Sequence, residues 1–538
     1  MYILGINGGV RAGYQDVSAA LIKDGEVVYA IAEERLNRRK HSAGQLPFLS
    51  IKAALDFAQI SMKDVSYVAT HGSTWGEAYE KVVEEYLKYA FGYSPKIVRI
   101  YHHLAHAASA YYGSGFNEAM VLSIDASGDG ISLQKAIGKD GKIEIIEQED
   151  RTNSLGIFYS IMTQFCGFTR DTDEYKLMGL APYGDASNVD LSEVLRIEES
   201  NFMLNNSFLK EIKAGAPQGS RQQAAYSSRL VSLLGNPRIA TEPITQYYKD
   251  VAAAAQKRLC EAILTTITQF YKQTGIRKVC MAGGVALNCE VNRYIQNLNF
   301  VDELFVQPAS GDDGISLGAA WYISNEMGYK PKPTPNYYLG TEFSNDQIQE
   351  QLNLMNLTFQ KVENVAEIAA NLVAQNKVVS WFQGRDEFGP RALGARSILA
   401  NPKAKEMKQI LNQKIKFREG FRPFCPSVLE EDFDNHFIGN QKQSPYMTIN
   451  YKVKEPALNP AISHVNETAR IQTVRKSDNP LYHEYLSQLK QKFGVGMSIN
   501  TSFNRNQEPM VHSPKDAVSA YFGSGIDALV IGNFLLEK

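Results

Sequence analysis

The chain has 538 residues, 44% of them hydrophobic, more than one hydrophobic core spans, so two or three domains are expected. Lys plus Arg number 56 against 58 Asp plus Glu, and the formal charge of -2 excludes a global attraction to nucleic acid or an anionic membrane. The five cysteines, Cys166, Cys260, Cys280, Cys289 and Cys425, form no CxxC pair and fit buried thiols in a reducing compartment. Met1 to Gly9 lacks a signal-peptide pattern, and no apolar run approaches the roughly 20 residues that span a bilayer. A cytoplasmic protein is expected.

In chain order, Tyr2 to Ile6, Val17 to Ile22 and Val27 to Ala30 read as strands, the last two joined by a hairpin turn at Lys23-Asp24-Gly25. A buried strand at Met120 to Ile124 runs into the acidic turn Asp125-Ala126-Ser127-Gly128-Asp129-Gly130. Asp250 to Gln269 has amphipathic helical spacing. Lys278 to Ala282 then enters Gly283-Gly284 and a helix through Asn288 and Asn292. Strands ending in glycine turns and separated by helices predict an α/β domain around a split nucleotide site. Three prolines in five residues, Pro331, Pro333 and Pro335, interrupt regular structure and set the expected boundary between domains 1–335 and 336–538. Beyond it, Asp346 to Met355 reads as an amphipathic helix and Val378 to Phe382 as a buried strand. No sequence repeat is evident.

Three of the nine histidines fall in His102-His103-Leu104-Ala105-His106. On a helix, His102 and His106 share one face and reach a single cation, although helix-borne histidines also cap local polar groups. Asp125 and Asp312 offer carboxylates, with Asp313 as a competitor, and such a mixed set suits Fe(II), Mn(II) or Zn(II). Asn7-Gly8-Gly9, Ser127-Gly128 and Gly283-Gly284 supply backbone N–H groups of the kind a phosphate chain needs. The chain contains no GxxxxGK[ST], which excludes a P-loop. From Arg385 to Arg422, ten basic residues stand against four acids and are interleaved with Phe and Pro, a pattern of partly buried cations awaiting anions. Arg470 and Ser498 to Asn504 add further anion and amide contacts.

These residues resemble the motifs of the carbamoyltransferase family that includes the nodulation-factor, cephamycin and nebramycin O-carbamoyltransferases. The resemblance lies in Asp16 to Ala20, Glu33-Glu34-Arg35 with Lys40-His41, His102 to His106, Glu174 to Gly184, Gly283 to Asn288 and Phe388 to Gly394, and it spans the length of the chain. It implies an N-terminal domain of the actin/hexokinase/sugar-kinase type, similar to the tRNA threonylcarbamoyl transferase subunit, and a C-terminal α+β YrdC-like domain.

In that family, carbamate from carbamoyl phosphate is adenylated by ATP with Mg(II), and the carbamoyl group then passes to an acceptor. By motif, Arg391, Lys416, Arg418, Arg422, Arg470, Ser502 and Asn504 would hold carbamoyl phosphate or ATP phosphates. Asn7, Ser127, Gly128, Gly283, Gly284 and Asn288 would hold the nucleotide, and His102, His106, Asp125 and Asp312 the metal, with Fe(II) the leading choice. Lys40, Asp16, Arg391, Lys416 and Arg418 are the expected catalytic residues. Where the family often has His before the first-loop Asp, this chain has Gln15, and an amide cannot serve as a base. The expected partners are carbamoyl phosphate, ATP and a small-molecule acceptor, a hydroxyl more than an amine, with no nucleic acid and no membrane. A threonylcarbamoyl tRNA-modifying enzyme and a nucleotide or carbamoyl phosphate sensor without turnover are the competing readings. The acceptor's identity is not written in the motifs, and Asn188 to Gln246, polar with scattered aromatics, is the segment expected to shape it.

Overall fold

A computed structural model describes residues 1–9, 16–210 and 223–538. Gln15 and part of the 188–246 segment lie outside the described residues. The chain forms two compact units, Met1–Val28 with Ser42–Pro333, and Tyr29–His41 with Thr334–Lys538. A single cut at 335 therefore misses that Tyr29–His41, early in the chain, belongs to the second unit. Its anchors are distant in sequence: Arg35 donates to the Gly389 carbonyl at 2.8 Å, and Arg38 to the carbonyls of Pro509 and Met510.

The first unit is built on two five-stranded sheets. One uses β1 (Tyr2–Asn7), β2 (Ser18–Lys23), β3 (Glu26–Ala32, of which the residues up to Val28 belong to this unit), β4 (Val65–Thr70) and β5 (Lys96–Arg99) in the order β3-β2-β1-β4-β5. The other uses β6 (Glu118–Gly128), β7 (Ile131–Lys139), β8 (Lys142–Asp150), β9 (Lys278–Ala282) and β10 (Glu303–Val306) in the order β8-β7-β6-β9-β10. In both, the first strand pairs antiparallel with the second and parallel with the fourth, and the fourth is parallel to the fifth. The unit is thus a topological duplication, the arrangement of the actin/hexokinase/sugar-kinase class. No sequence repeat announces it, because strand order is set by which apolar faces must be buried and many sequences satisfy the same order.

Helix α1 (His102–Ser114) packs on the second sheet, the long helix α2 (Gln246–Thr274) follows later in the unit, and α3 (Asp313–Glu326) packs on β1 and against α1. Small residues permit this closeness. A Cβ on Gly318 would lie 1.9 Å from the Ala105 carbonyl oxygen, and one on Gly5 would lie 1.8 Å from that of Ser316. The α1–α3 contact holds the histidine face of one helix beside the first residues of the other.

The second unit is a mixed α/β structure. It is organised by an eight-stranded sheet of β11 (Gln360–Lys361), β12 (Val379–Phe382), β13 (Arg396–Ala400), β14 (Cys425–Leu429), β15 (Gln472–Val474), β16 (Met497–Ser502), β17 (Ala528–Ile531) and β18 (Phe534–Glu537). Their order is β11-β18-β17-β12-β13-β16-β14-β15. Helices α4 (Val365–Ala374) and α5 (Pro480–Phe493) bury Ala369, Val373, Tyr482, Tyr485 and Leu486 together with Trp381 and Val530 of the sheet. Each large apolar side chain so buried contributes about 1.5–3 kcal/mol. Both helices start at side-chain caps: Asn364 accepts from Glu367 N–H, and Asn479, followed by Pro480, accepts from Tyr482 N–H. Among the described residues no helix is long and apolar enough to cross a membrane.

Candidate functional site

Helix α1 carries His102 and His106 on one face, β6 holds Asp125 in its C-terminal half, and Asp312 is the N-cap residue immediately before α3. One ligand atom from each of the four lies within 4.8 Å of all the others. His102 Nε2 is 3.3 Å from Asp125 Oδ2 and 3.7 Å from Asp312 Oδ1, and His106 Nε2 is 3.5 Å and 3.4 Å from the same two atoms. Two ligands at about 2.1 Å from a shared cation sit about 3.0–3.4 Å apart, close to these spacings. Neither ring nitrogen of His106, a residue with no exposed surface, has a hydrogen-bond partner among the described residues. A buried imidazole left that way costs about 1–3 kcal/mol, which a cation at Nε2 removes. The residues fit a divalent metal ion.

The third histidine of the run does different work. His103 Nε2–H donates to the Ile131 carbonyl at 3.0 Å and Nδ1 accepts from Ser123 Oγ at 2.5 Å, so both nitrogens are satisfied within the core. Burial, followed by the neighbouring His102 and His106, depresses its pKa to about 3 and keeps it neutral. Burial also opposes charge on His106, but the Asp125 and Asp312 carboxylates prevail and raise it to about 9. For Asp125 burial works against ionisation, and His102 and His106 override it to hold the carboxyl well below its ordinary range. Burial, with the charge of Asp125 adding to it, raises Asp312. Two acids and two imidazoles thus compete for protons in one buried volume, a competition that a dication ends.

The glycine turns close around this group. A Cβ on Gly128 would strike the His102 ring at 2.0 Å, so only glycine lets β6 approach that ring. Gly283, at φ 88°, has no room for a side chain against Ile124, and Gly284 faces the Asp125 carboxylate, with its Cβ position 3.0 Å from Oδ1. Asp16 Oδ2 lies 3.7 Å from the Cβ position of Gly311, next to Asp312, and the Asp16 carbonyl accepts from Asn7 Nδ2 at 2.9 Å. Asn7, at the end of β1, is thereby tied to Asp16, two residues before β2. Ser127 is exposed beside Gly128. Asn288 is buried and exchanges hydrogen bonds with Gln256 while capping its helix, so its side chain is engaged internally. The Asp313 carboxylate accepts from Gly314 N–H, leaving Asp312 as the acid in the histidine group.

In the second unit, Lys416 Nζ sits among the Ser502 carbonyl and, at 3.3, 3.2 and 2.8 Å, Ser502 Oγ, the Asn504 carbonyl and Asn504 Oδ1. Burial, then the charges of Arg418, Arg422 and Lys40, depress its pKa well below the ordinary range. An anion among these cations restores the charge. Arg418 stacks over Phe424 at 4.3 Å and donates to Asn412 Oδ1, Arg422 faces Glu419 at 3.6 Å, and Arg470 Nε is 3.2 Å from Cys425 Sγ. Arg391 is half-buried on the β12–β13 connection. Lys40, exposed, is near enough to Lys416 to bear on its charge, which places it with the second unit's cations.

Reasoning from sequence missed His71, Trp75 and Asp129 beside the histidine group. His71 packs edge-on against His102 at 5.4 Å, and Asp129 Oδ2 accepts from His102 N–H at 2.9 Å. A lone histidine after a strand carries no spacing signal. The glycines of His71-Gly72-Ser73-Thr74-Trp75-Gly76 were the available sign of a built turn.

Fold and site together define an α/β protein whose duplicated unit carries a candidate metal-ligand group. Residues 75–321 match the model of the carbamoyltransferase N-terminus and residues 370–538 that of the C-terminus. The nodulation protein NolNO of Sinorhizobium fredii is 34% identical over 100% of this chain and 83% of its own. NolO of Bradyrhizobium diazoefficiens is 39% identical over 81% of this chain and 78% of its own. The 3'-hydroxymethylcephem-O-carbamoyltransferase of Amycolatopsis lactamdurans is 31% identical over 69% and 66%. The chain belongs to the carbamoyltransferase family.

Proposed function

We propose that the protein makes carbamoyl adenylate from carbamoyl phosphate and ATP in its YrdC-like second unit and transfers the carbamoyl group to a small-molecule hydroxyl in its first. The observation that carries this reading is the convergence of His102, His106, Asp125 and Asp312 within 4.8 Å, ringed by the glycine turns.

Water cleaves carbamoyl phosphate to carbamate and phosphate. A carbamate oxygen attacks the α-phosphorus of ATP, forming the new P–O bond as pyrophosphate leaves. Arg391, Lys416, Arg418, Arg422 and Arg470 offset the crowded negative charge, and Ser502 and Asn504 fix Lys416 so that little reorganises as charge shifts. In the first unit the acceptor oxygen attacks the carbamoyl carbon, AMP leaves with the bonding pair, and Asp16 takes the hydroxyl proton in place of the base that Gln15 cannot be. The nucleotide lies along the backbone N–H groups of Asn7 to Gly9, Ser127-Gly128 and Gly283-Gly284. A divalent cation at the histidine group, Fe(II) before Mn(II) or Zn(II), supplies Lewis acidity for charge that develops on the carbonyl. Excluding bulk water from the adenylate completes the cycle, and a cytoplasmic site of action supplies ATP and Mg(II).

Pyrophosphate release that requires both ATP and carbamoyl phosphate, with neither threonine nor tRNA, is the expected result. Dependence on threonine and salt-sensitive RNA binding would transfer the protein to the tRNA-modifying class, and nucleotide binding without pyrophosphate would make it a sensor.

A further inference from the structure

The two buried histidines that flank His102 are treated differently. Both nitrogens of His103 are satisfied by the protein, while His71, 3% exposed, has a buried Nδ1 with no hydrogen-bond partner among the described residues. His71 directly follows β4, whose last residue Thr70 pairs with Ile6 of β1, so it stands beside the end of β1 at Asn7 and Gly8.

From His71 an aromatic ladder runs away from the metal-binding group. Its ring meets Trp75 at 4.9 Å and 73°, and Trp75 meets Tyr79 at 4.5 Å and 88°. Tyr79 is tied by its hydroxyl to the Gly8 carbonyl at 2.8 Å. The turn is constructed to hold the indole here: Gly72, at φ 91°, leaves the space in which a Cβ would lie 2.6 Å from the indole ring. Thr74 donates to Asp129 Oδ1 at 2.6 Å, and the other oxygen of Asp129 holds the backbone N–H of His102. One carboxylate thereby fixes the turn relative to the metal-ligand helix. Trp75 is half-buried, and nothing lies within 4 Å of the Cβ position of the next residue, Gly76. The half-buried Trp75 thus stands between a buried, hydrogen-bonded Tyr79 and a buried His71 whose Nδ1 lacks a hydrogen-bond partner among the described residues.

We propose that His71 and Trp75 form the recognition wall for the acceptor, and that the acceptor presents its hydroxyl on a ring with an apolar face. A flat apolar face matches the indole without the rotamer loss a flexible chain suffers, and His71 supplies a polar contact that orients the hydroxyl toward the transferred group. This rests on the carbamoyl-transfer reading above for the site's purpose, but the wall is testable by binding alone.

Of the three tryptophans, Trp321 and Trp381 are fully buried, so ligand-induced change in tryptophan fluorescence reports on Trp75. The full-length protein is titrated with trans-cyclohexane-1,2-diol and with hexane-1,2-diol, and the same diols are offered as acceptors with carbamoylated product read by mass spectrometry. The expected result is a fluorescence change with the ring diol at a Kd about tenfold below that of the chain diol, with the same preference in kcat/KM. That preference falls to about one in Trp75→Ala, survives in Trp75→Phe, and His71→Phe raises KM for the ring diol more than it lowers kcat. Equal affinity for the two diols, no fluorescence change, or a preference that persists in Trp75→Ala overturns the wall. Failure of wild-type pyrophosphate release overturns the transfer reading instead, and the fluorescence arm still decides the wall.

Discussion

In the first unit His106 is buried with neither ring nitrogen hydrogen-bonded among the described residues, whereas in the second the Lys416 amine is ringed by acceptors from Ser502 and Asn504. The histidine group brings four potential ligand atoms within 4.8 Å of one another and fits a divalent cation. The lysine is braced by its own protein, and burial, followed by the charges of Arg418, Arg422 and Lys40, depresses its pKa. The difference is one of preparation. A metal-ligand set gains its order when the cation binds, while an anion pocket keeps like charges at close range only because the surrounding hydrogen bonds hold them there.

The largest effect expected from breaking this contrast is at His106. His106→Ala lowers carbamoyl transfer to the acceptor by about a thousandfold, the scale of several kcal/mol of Lewis-acid stabilisation, while pyrophosphate release from ATP and carbamoyl phosphate continues. Loss of both activities would show that the two sites are not separate. Lys416→Met does the reverse, cutting pyrophosphate release by about a hundredfold with the bound metal, measured by elemental analysis, unchanged.

A smaller effect is expected at Glu174, the first residue of the helix Glu174–Leu180 in the first unit. Burial, aided by Asp171, raises the Glu174 carboxyl to about 7. The folded state therefore holds this proton more tightly than the unfolded chain, so its contribution is complete below the ordinary carboxylate range and is lost as pH rises through about 7. Glu174→Gln should remove up to about 3 kcal/mol of this pH dependence, read as the change in urea midpoint between pH 5 and pH 7.5. An identical pH dependence in the variant would assign the loss to other groups. The smallest effect is at His103. His103→Leu leaves Ser123 Oγ and the Ile131 carbonyl without their partner and costs about 1–3 kcal/mol of stability, measured by denaturant melting, with metal content retained. Loss of the metal would mean that His103 belongs to the ligand set.

Much of the first site is legible in the sequence because helical spacing is short-range. The i, i+4 spacing of His102 and His106 puts both rings on one face wherever the helix packs. The choice between Asp312 and Asp313 is not, since adjacent side chains at a helix start point apart and only the packing of α3 on α1 decides which faces the histidines. The duplicated strand order is invisible in the sequence because topology constrains burial pattern and leaves residue identity free. Tyr29–His41 shows no local sign of belonging with the second unit, because the groups that hold it, the carbonyls of Gly389, Pro509 and Met510, come hundreds of residues later.

That excursion also orders the life of the chain at the ribosome. The Arg35 to Gly389 bond joins residues 354 apart, so Tyr29–His41 emerges early and must stay undocked while the whole first unit is made. The second unit cannot fold as a simple C-terminal piece. A fragment of 334–538 begins life with a vacant seat for Arg35 and Arg38, and any cut or permutation of the gene that is to yield two independent halves has to move thirteen residues from one end of the chain to the other.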